Sequence, residues 1–241
     1  MNSKKKITIS WSGGKDSAFA LYKILSAHEY EVVSLHTVID EDSRRVGLHG
    51  VKENLIEEQA KRIGLPLEKI YLPASENHQH YQSLMKEYYL KSVRQGLEGI
   101  MFGDIFLADL KNYRLELLKP SGLFAVFPLW QIESQLLATD FINVGFKTII
   151  CAADARLLGR HSVGEQFDHS FLKTLPAEVD PCGENGEFHS FVFDGPIFKN
   201  PIEIREGEIV ERAYSYQKRQ ADGSIVKCES AFWFQELDLV S

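Results

Sequence analysis

Ser12-Gly13-Gly14-Lys15-Asp16-Ser17 is a glycine turn between two regular elements. An apolar, β-branched run at 7–11 precedes it, and a helix-like pattern at 18–25 follows it. Glycines let backbone N–H groups approach an anion without a Cβ in the way, and the first turn of a helix adds unsatisfied N–H donors. The lysine adds a positive charge, and the two serines add hydroxyl donors. The stretch therefore predicts a phosphate-binding loop.

The loop differs from two better-known nucleotide-binding motifs. A Walker A loop needs a glycine five residues before the glycine of its GK pair, and Ser or Thr after the lysine. Ile9 and Asp16 occupy those positions here. No GxGxxG follows the first predicted strand, which argues against a Rossmann dinucleotide fold. A plain glycine turn with a solvated Lys-Asp pair is the structural alternative, and the combination of strand, serines, lysine and helix start favours phosphate.

The composition is that of a globular chain. Its 241 residues suffice for one large or two small domains, with 25% charged and 44% hydrophobic residues. A net charge of −7 argues against a broad nucleic-acid or membrane surface. No apolar stretch reaches the roughly 18 residues of a membrane span, and the short apolar run after the first lysines predicts a strand rather than a signal peptide. The cysteines, Cys151, Cys182 and Cys228, form no CxxC, which predicts a reduced, cytoplasmic protein.

The first half of the chain alternates between strand-like and helix-like stretches. Strands are predicted at 7–10, 32–38, 70–72, 99–103 and 124–127, and helices at 16–27, 51–63 and 78–95. This alternation predicts right-handed crossovers and a parallel sheet covered on both faces. Ligands of such sheets bind beyond the carboxyl ends of the strands, where the glycine loop, the segment after Val38 and Gly103-Asp104 would project.

The second half has a different pattern. A predicted helix at 133–144 and a strand at 147–152 are followed by short β segments at 191–193, 202–204 and 209–210. Ala221-Asp222-Gly223 predicts a hairpin turn. We therefore expect an α/β parallel-sheet domain over 1–130 and a smaller α+β domain over 131–241, with the boundary near Trp130.

A second group of titratable residues occurs between Glu178 and Ser190. Three of them crowd into a short loop that enters an apolar strand, namely Glu184, Glu187 and His189. Such clusters shift pKa values, bind metal or orient a nucleophile. The alternative is a solvated acidic turn. Cys182 lies in the same segment, where a buried packing thiol is favoured over a catalytic one.

The glycine loop resembles the PP-loop of the ATP pyrophosphatase superfamily, which has an adenine nucleotide alpha hydrolase-like fold. Members cleave ATP between the α and β phosphates and use the AMP half to activate a carbonyl or carboxyl oxygen. The resemblance implies that Ser12, Gly13, Gly14, Lys15, Asp16 and Ser17 hold the pyrophosphate end of ATP, together with Mg²⁺. Asp16 is expected to cap the helix and brace the loop, with a metal contact as the alternative.

Both groups of residues together resemble the diphthine–ammonia ligase family, over most of the chain. Further matching segments are Gly103-Asp104-Ile105, Pro128-Leu129-Trp130, the Pro-Cys-Gly-Glu-x-Gly-Glu run 181–187, and Asp194-Gly195-Pro196. Members of the family join an ATP-binding domain to an acceptor domain. They couple ammonia to the carboxylate of diphthine, a modified histidine of elongation factor 2, while ATP is converted to AMP and pyrophosphate.

One departure from the family pattern concerns the acceptor. Members that make diphthamide carry an EGGE-x-E sequence, whereas this chain reads Glu184-Asn185-Gly186-Glu187-Phe188-His189. The chain therefore resembles a sister subgroup whose acceptor carboxylate, on a protein or on a small metabolite, stays open.

The resemblance implies roles for individual residues. Lys15 would offset the charge that grows on pyrophosphate, Gly103 would lie beside the nucleotide, and adenine would lie against the backbone of His36-Thr37-Val38. Asp104 is a candidate for positioning metal or ammonia, with a strand-end cap as the alternative. The acceptor-site candidates are Glu184, Glu187 and His189, the last two being alternative bases for ammonium.

Several alternatives stay open at this stage. His49-Gly50 is expected to be a helix-entry turn, and lining the same cleft is its alternative. A PP-loop sulfurtransferase would carry persulfide on Cys151 or Cys182, but the acidic charge and the absence of cysteine pairs argue against it. A nucleotide-binding sensor without chemistry is a further alternative. A homo-oligomer is possible, and free ammonium is the simplest source of ammonia.

Overall fold

A computed structural model of the chain describes residues 3–73, 78–219 and 225–240. The strands are β1 (Lys5–Ser10), β2 (Tyr30–Asp40), β3 (Arg45–Val46), β4 (Val51–Lys52), β5 (Leu67–Leu72), β6 (Gly99–Met101), β7 (Phe124–Val126), β8 (Lys147–Asp154), β9 (Phe188–Asp194), β10 (Ile204–Arg219) and β11 (Ile225–Leu239). The helices are α1 (Lys15–Ala27), α2 (Glu53–Ile63), α3 (His78–Arg94), α4 (Ala108–Leu118), α5 (Ser134–Asn143) and α6 (His169–Thr174).

The first sheet is mostly parallel and has β1 near its centre. β1 pairs in parallel with β2 on one side and with β6 on the other, β5 extends the sheet beyond β2, and β7 extends it beyond β6. The short strands β3 and β4 add an antiparallel extension at the end of β2. This sheet confirms the predicted α/β class. It also places the carboxyl ends of β1, β2 and β6 at one edge.

Helices cover both faces of the parallel sheet, because its strands bury side chains on both sides. Ile7 and Ile9 of β1 point into a core formed with α1 and α2. Ile100 of β6 packs in a second core with α3 and α4. The predicted covering of both faces is confirmed.

The second sheet is antiparallel and joins the second half to the first. Its strand order is β10-β11-β8-β9. Most buried hydrophobic residues of β8 and β9 belong to the same core as α1, whereas Ala152, Phe232 and Phe234 form a separate small cluster. Phe19 of α1, for example, packs edge-on against Phe141 and Phe146, with ring centroids 5.7 and 6.2 Å apart. The glycine loop at the start of α1 is therefore held against the second half.

The structure corrects several element predictions. α4 and α6 were not predicted, and α4 lacks a helical stripe because its buried residues are only Leu117 and Leu118. The predicted strand 99–103 ends at Met101. The segments 202–204 and 209–210 contribute to a single strand, β10, with an irregular register between Glu206 and Ile209. The predicted hairpin turn at 221–223 lies outside the described residues, and the division near residue 130 stays a prediction.

Candidate functional site

The glycine loop connects β1 to α1, and its conformation requires glycine. Gly13 has a φ of 81°, in the left-handed region that favours glycine. A Cβ on Gly13 would lie 2.5 Å from Ile56 Cδ1 and 2.8 Å from Gln59 Oε1. Both α2 side chains are fully buried, so the backbone of the loop lies directly against the helix α2.

The two serines of the loop hydrogen-bond within it. Ser12 Oγ accepts from the N–H of Gly14 at 3.2 Å and lies 3.3 Å from Ser17 Oγ, which donates to the Gly14 carbonyl at 3.0 Å. The prediction that Asp16 caps α1 is wrong. Gly14 is the N-cap residue, no side chain caps the helix, and the Asp16 carboxylate instead pairs with Lys15.

Gln59 and strand β9 fix the loop from outside. The Gln59 amide donates to the carbonyls of Gly13 at 2.9 Å and Val192 at 2.7 Å, and its oxygen accepts from the Trp11 indole at 2.8 Å. Val192 N–H also donates to the Gly13 carbonyl at 3.0 Å, and Lys15 N–H donates to Ser190 Oγ at 3.1 Å. Sequence reasoning missed Gln59 and Ser190, since no local pattern marks either residue.

Lys15 is a buried cation at the junction of the two halves. The residue is 4% exposed, and its Nζ lies 2.8 Å from both carboxylate oxygens of Asp16. The same Nζ lies 5.8 Å from the Phe167 ring and 5.5 Å from the Phe188 ring. Burial alone would lower the pKa of Lys15, but Asp16 and, more weakly, Glu184 keep it above the usual value. The lysine therefore stays charged beside the loop.

Gly103 and Asp104 lie next to the loop at the end of β6. A Cβ on Gly103 would come within 2.9 Å of the Asp16 backbone and 3.0 Å of the Ser17 nitrogen. Asp104 is 6% exposed and forms a two-point ion pair with Arg114, at 3.0 Å to Nη2 and 2.6 Å to Nε. Arg114 was not predicted. Because this arginine holds the Asp104 carboxylate, the side chain is fixed at the edge of the sheet.

The 180–187 segment is held together by its own carboxylates. Asp180 Oδ2 accepts from the N–H groups of Cys182 at 3.0 Å and Glu184 at 3.1 Å. Glu187 Oε1 accepts from the N–H of Asp180 at 3.0 Å and from the Asn185 amide at 2.9 Å. The side-chain hydrogen bonds of Glu187 thus stay within the segment, which gives this residue a structural contact in addition to its predicted role.

Glu184 links the 180–187 segment to the first half of the chain, at the end of β6. Its Oε1 accepts from the backbone N–H of Ile105 at 2.8 Å. Burial raises the pKa of Glu184 to about 7, and the charges of Asp16 and Asp104 act in the same direction. The Ile105 N–H and Lys15 act in the opposite direction and do not cancel the effect of burial. A carboxyl group that titrates near neutrality therefore lies beside the glycine loop.

His189 of β9 lies beside His49, at the end of a 3-10 turn over Gly47–His49, with ring centroids 4.5 Å apart. A Cβ on Gly14 would lie 3.0 Å from His49 Cε1, so the histidine pair contacts the loop. Burial lowers the pKa of His49 to about 4 and that of His189 well below its usual value, and the Lys15 charge lowers both further. Both rings are therefore neutral at pH 7. His49 forms the expected turn and also lines the site.

At the end of β2, the side chains of His36 and Val38 lie on the face that packs against α3, and that of Thr37 between them lies on the opposite face. The His36 ring lies under α3, with Nδ1 3.2 Å from Thr8 Oγ1 and the ring centroid 4.8 Å from that of Tyr88. Burial lowers the pKa of His36 to about 3, so it is neutral. Its carbonyl accepts from the N–H of Trp11 at 2.8 Å, while Thr37 is buried and Val38 packs in the core with α3. The His36 carbonyl thus bonds the residue that directly precedes the loop.

The cysteines near the site are buried thiols. Cys182 Sγ donates to the Ser134 carbonyl at 3.3 Å, and Cys151 Sγ donates to the His49 carbonyl at 3.4 Å. Burial raises the pKa of Cys182 well above its usual range and that of Cys151 to about 12. Both are therefore protonated packing groups at neutral pH. Among the described residues, no group of three or more His, Cys, Asp and Glu side chains has an arrangement that could hold a metal ion.

Comparison with known proteins gives matches along most of the chain. The diphthamide synthase N-terminal domain matches residues 5–123, and the diphthamide synthase C-terminal domain matches residues 133–221. The diphthine–ammonia ligase of Schizosaccharomyces pombe is 31% identical over 222 residues, which cover 84% of this chain and 36% of that protein. The chain thus spans about a third of the fission-yeast relative.

Two further proteins are similar to this chain. The diphthine–ammonia ligase of Homo sapiens is 27% identical over 224 residues, covering 83% of this chain and 82% of that protein. A solved U34-tRNA thiolase from Methanococcus maripaludis aligns over 60% of this chain and 59% of its own, with a TM-score of 0.39 and 15% identity.

None of the helices in the described part of the chain combines the length and the apolar character that a membrane span requires.

Proposed function

The chain belongs to the diphthamide synthase family, and on that premise we propose that it is an ATP-dependent ligase. It would convert ATP to AMP and pyrophosphate, adenylate a carboxylate on an acceptor, and join ammonia to that carboxylate. The observation that carries the proposal is the direct contact between the glycine loop and strand β9, where Lys15 N–H meets Ser190 Oγ at 3.1 Å. This contact puts the proposed phosphate site and the proposed acceptor site within one side chain of each other.

In the first step the acceptor carboxylate attacks the α-phosphorus of ATP, and the bond to the β-phosphate breaks. Pyrophosphate leaves with the bonding electrons, so negative charge grows on it. Lys15 and the N–H groups at the start of α1 are placed to offset that charge. Asp16 fits a Mg²⁺–ATP complex, since Mg²⁺ takes one or two carboxylates besides phosphate oxygens. The metal would supply further neutralisation of phosphate charge.

In the second step the ammonia nitrogen attacks the acyl carbon of the adenylate. A C–N bond forms, the bond to the AMP oxygen breaks, and one proton leaves the nitrogen. Glu184 titrates near neutrality beside the loop and can take up that proton, as can His189, whose ring is neutral. Glu187 stays an alternative base, although its Oε1 is already hydrogen-bonded to Asp180 and Asn185.

The acceptor is where this chain departs from the diphthamide-forming pattern. His189 replaces an acid of the EGGE-x-E sequence and packs against His49. The acceptor would therefore meet two neutral imidazoles where those relatives present a carboxylate. A protein-bound carboxylate and a small carboxylate metabolite both fit this chemistry. We place the reaction in the cytoplasm, in line with the buried free thiols of Cys151 and Cys182.

The test is to follow the fate of the α-phosphate of ATP. Purified protein is mixed with Mg-ATP carrying an α-label, with and without ammonium, and with a clarified lysate of its host as acceptor source. We expect AMP and pyrophosphate, formed only when the lysate is present. ADP and phosphate would contradict cleavage between the α and β phosphates. Tight ATP binding with no turnover under any of these conditions would favour the sensor.

A pair of lysine variants on α1 tests the loop itself. Lys15→Ala removes the cation beside Asp16 and should reduce AMP formation by at least about a hundredfold, the scale of one charge-stabilising group. Lys23→Ala is the matched control, because Lys23 lies on the same helix over the ring of Phe19. Unchanged AMP formation by Lys15→Ala would contradict the assignment of the loop.

A further inference from the structure

His49 and His189 leave buried nitrogen atoms without hydrogen-bond partners. His49 Nδ1 and His189 Nε2 have almost no solvent exposure and make no hydrogen bond within the protein. Against the larger effect of burial, which lowers the pKa of His49, the Ser190 backbone also interacts with the His49 ring and raises that pKa. Buried polar atoms in proteins are nearly always paired, so two unpaired atoms on adjacent rings call for a small polar partner.

A small cavity adjoins the His49 ring. Its volume is about 10 Å³, and its lining includes His49, Cys151, Gln235 and Leu237. A volume of this order accommodates roughly one water-sized molecule. The lining also includes Arg45 and Lys52, whose side chains are 18% and 29% exposed. The cavity thus lies between the His49 ring and these two partly exposed cations.

The charges around the pair select against a cation. Lys15, although it is paired with Asp16 at 2.8 Å, is the cation whose charge lowers the pKa of both imidazoles. At the outer part of the cavity, Arg45 pairs with Glu236 at 2.7 Å and Lys52 pairs with Asp238 at 2.5 Å, so these charges are compensated. A positively charged ammonium ion would therefore be repelled by Lys15 at the pair, while a neutral molecule would not.

We propose that His49 and His189 form a binding site for neutral ammonia beside Gly14 of the loop, next to the small cavity at His49 that Cys151 and Gln235 line. The inference rests on the proposed ligase function, because ammonia is the second substrate of that reaction. Ammonia has three N–H donors and one lone pair. Two of its donors can bond to lone pairs on the two neutral imidazoles, which leaves its own lone pair free to attack. Such a site would hold the nucleophile in contact with the nucleotide loop.

The test is a titration observed at the imidazole nitrogens. Protein with ¹⁵N-labelled histidine receives ammonium chloride at about pH 9, where a large share is neutral ammonia, and at about pH 7, where almost none is. His49→Gln and His189→Gln assign the two signals, and His49→Asn replaces the first variant if it does not fold. His28, at the end of α1, provides the reference signal.

We expect a saturable change of both side-chain ¹⁵N shifts at the higher pH only, with the His28 signal unmoved. No change at either pH would overturn the proposal. An equal change at both pH values would also overturn it, since the ion would then be the ligand. A change caused by inorganic pyrophosphate and not by ammonia would show a phosphate site instead.

The two proposals fail separately. If ammonia changes the imidazole shifts of a protein that never releases AMP, the ligase function is contradicted and the ammonia site is still supported. If the protein forms AMP but its imidazole signals do not change with ammonia, only the ammonia site is contradicted.

Discussion

The glycine loop and the 180–187 segment face each other, yet different forces fix them. The loop is held by packing and by contacts from distant parts of the chain, with Ile56 and Gln59 where a Cβ of Gly13 would be. The segment is held by its own carboxylates, Asp180 and Glu187, which accept four hydrogen bonds from within it. The loop is therefore fixed by packing and long-range contacts, and the 180–187 segment by hydrogen bonds to its own carboxylates.

This difference determines how each region responds to change. The packing at Gly13 is sensitive to added volume, and the Ile56 and Gln59 side chains that fill the space beside it do not titrate. The 180–187 segment has open space beside Gly186, and burial raises the pKa of its Glu184 to about 7. Substitutions and pH can therefore separate the two regions.

The largest expected effect is that of Gly13→Ala. The new Cβ would lie 2.5 Å from Ile56 Cδ1 at a φ of 81°, so overpacking adds to backbone strain. We expect a loss of about 3 kcal/mol in the free energy of unfolding, measured in urea. Gly186→Ala is the matched control, because its φ is 88° and no atom lies within 4 Å of the added Cβ. It should lose about 1 kcal/mol. Equal losses would remove the distinction between the two regions.

The second effect is a pH dependence carried by Glu184. Its folded pKa of about 7 lies above the ordinary 4.5, so the folded state binds more protons between these values. The contribution of Glu184 to stability therefore falls as pH rises from about 4.5 to about 7. Glu184→Gln should gain stability relative to the parent over that window, by on the order of 2 kcal/mol after discounting for partial exposure.

Glu58→Gln is the control for this pH dependence. Burial raises the pKa of Glu58, but hydrogen bonds from Lys61 and Arg62 outweigh burial and lower it. Its contribution to stability is therefore lost as pH falls, so its substitution should change the pH profile in the opposite sense. Parallel profiles for the two variants would show that Glu184 does not titrate near neutrality.

The third effect concerns Asp180. Asp180→Ala leaves the N–H groups of Cys182 and Glu184 without their carboxylate partner, which should cost about 2 kcal/mol. Hydrogen exchange at these two amides should accelerate by more than tenfold. The Gly13 carbonyl bonds of the loop do not involve Asp180, so exchange at Val192 should change much less. Equal acceleration at all three amides would mean that the segment and the loop open together.

The smallest effect is that of Ser190→Ala. This change removes the acceptor for the Lys15 N–H and should lower the free energy of unfolding by about 1 kcal/mol. Ser83→Ala is a control, because Ser83 lies exposed on α3 and donates only to the carbonyl one turn earlier. A cost for Ser190→Ala no greater than that of the control would show that strand β9 does not stabilise the loop through this bond.

The parts of the molecule that short-range patterns determine were predicted from the sequence. The strand, glycine turn and helix around Gly13 occupy neighbouring positions in the chain, so their order alone indicated β1 and α1. The helix α4 was not predicted, because its buried residues are only Leu117 and Leu118 and it lacks the regular apolar stripe of an amphipathic helix.

The contacts that complete the site could not be predicted, for a physical reason. Gln59 bonds Gly13 across 46 residues of sequence, and Ser190 bonds Lys15 across 175. Such pairings depend on how the two sheets pack and leave no periodic trace. The expectation for Asp16 failed for a related reason, because the nearby cation of Lys15 competed for its carboxylate.

Strand β9 carries Ser190 and Val192, which bond the glycine loop, and His189, which faces His49. His189 and Ser190 are consecutive and point to opposite faces of the strand, so one backbone connects the proposed acceptor side to the glycine loop. If both proposed sites bind their ligands, this connection predicts a coupling free energy between them, and such a coupling is reciprocal. If bound nucleotide changes the affinity for the acceptor by some factor, bound acceptor changes the affinity for nucleotide by the same factor.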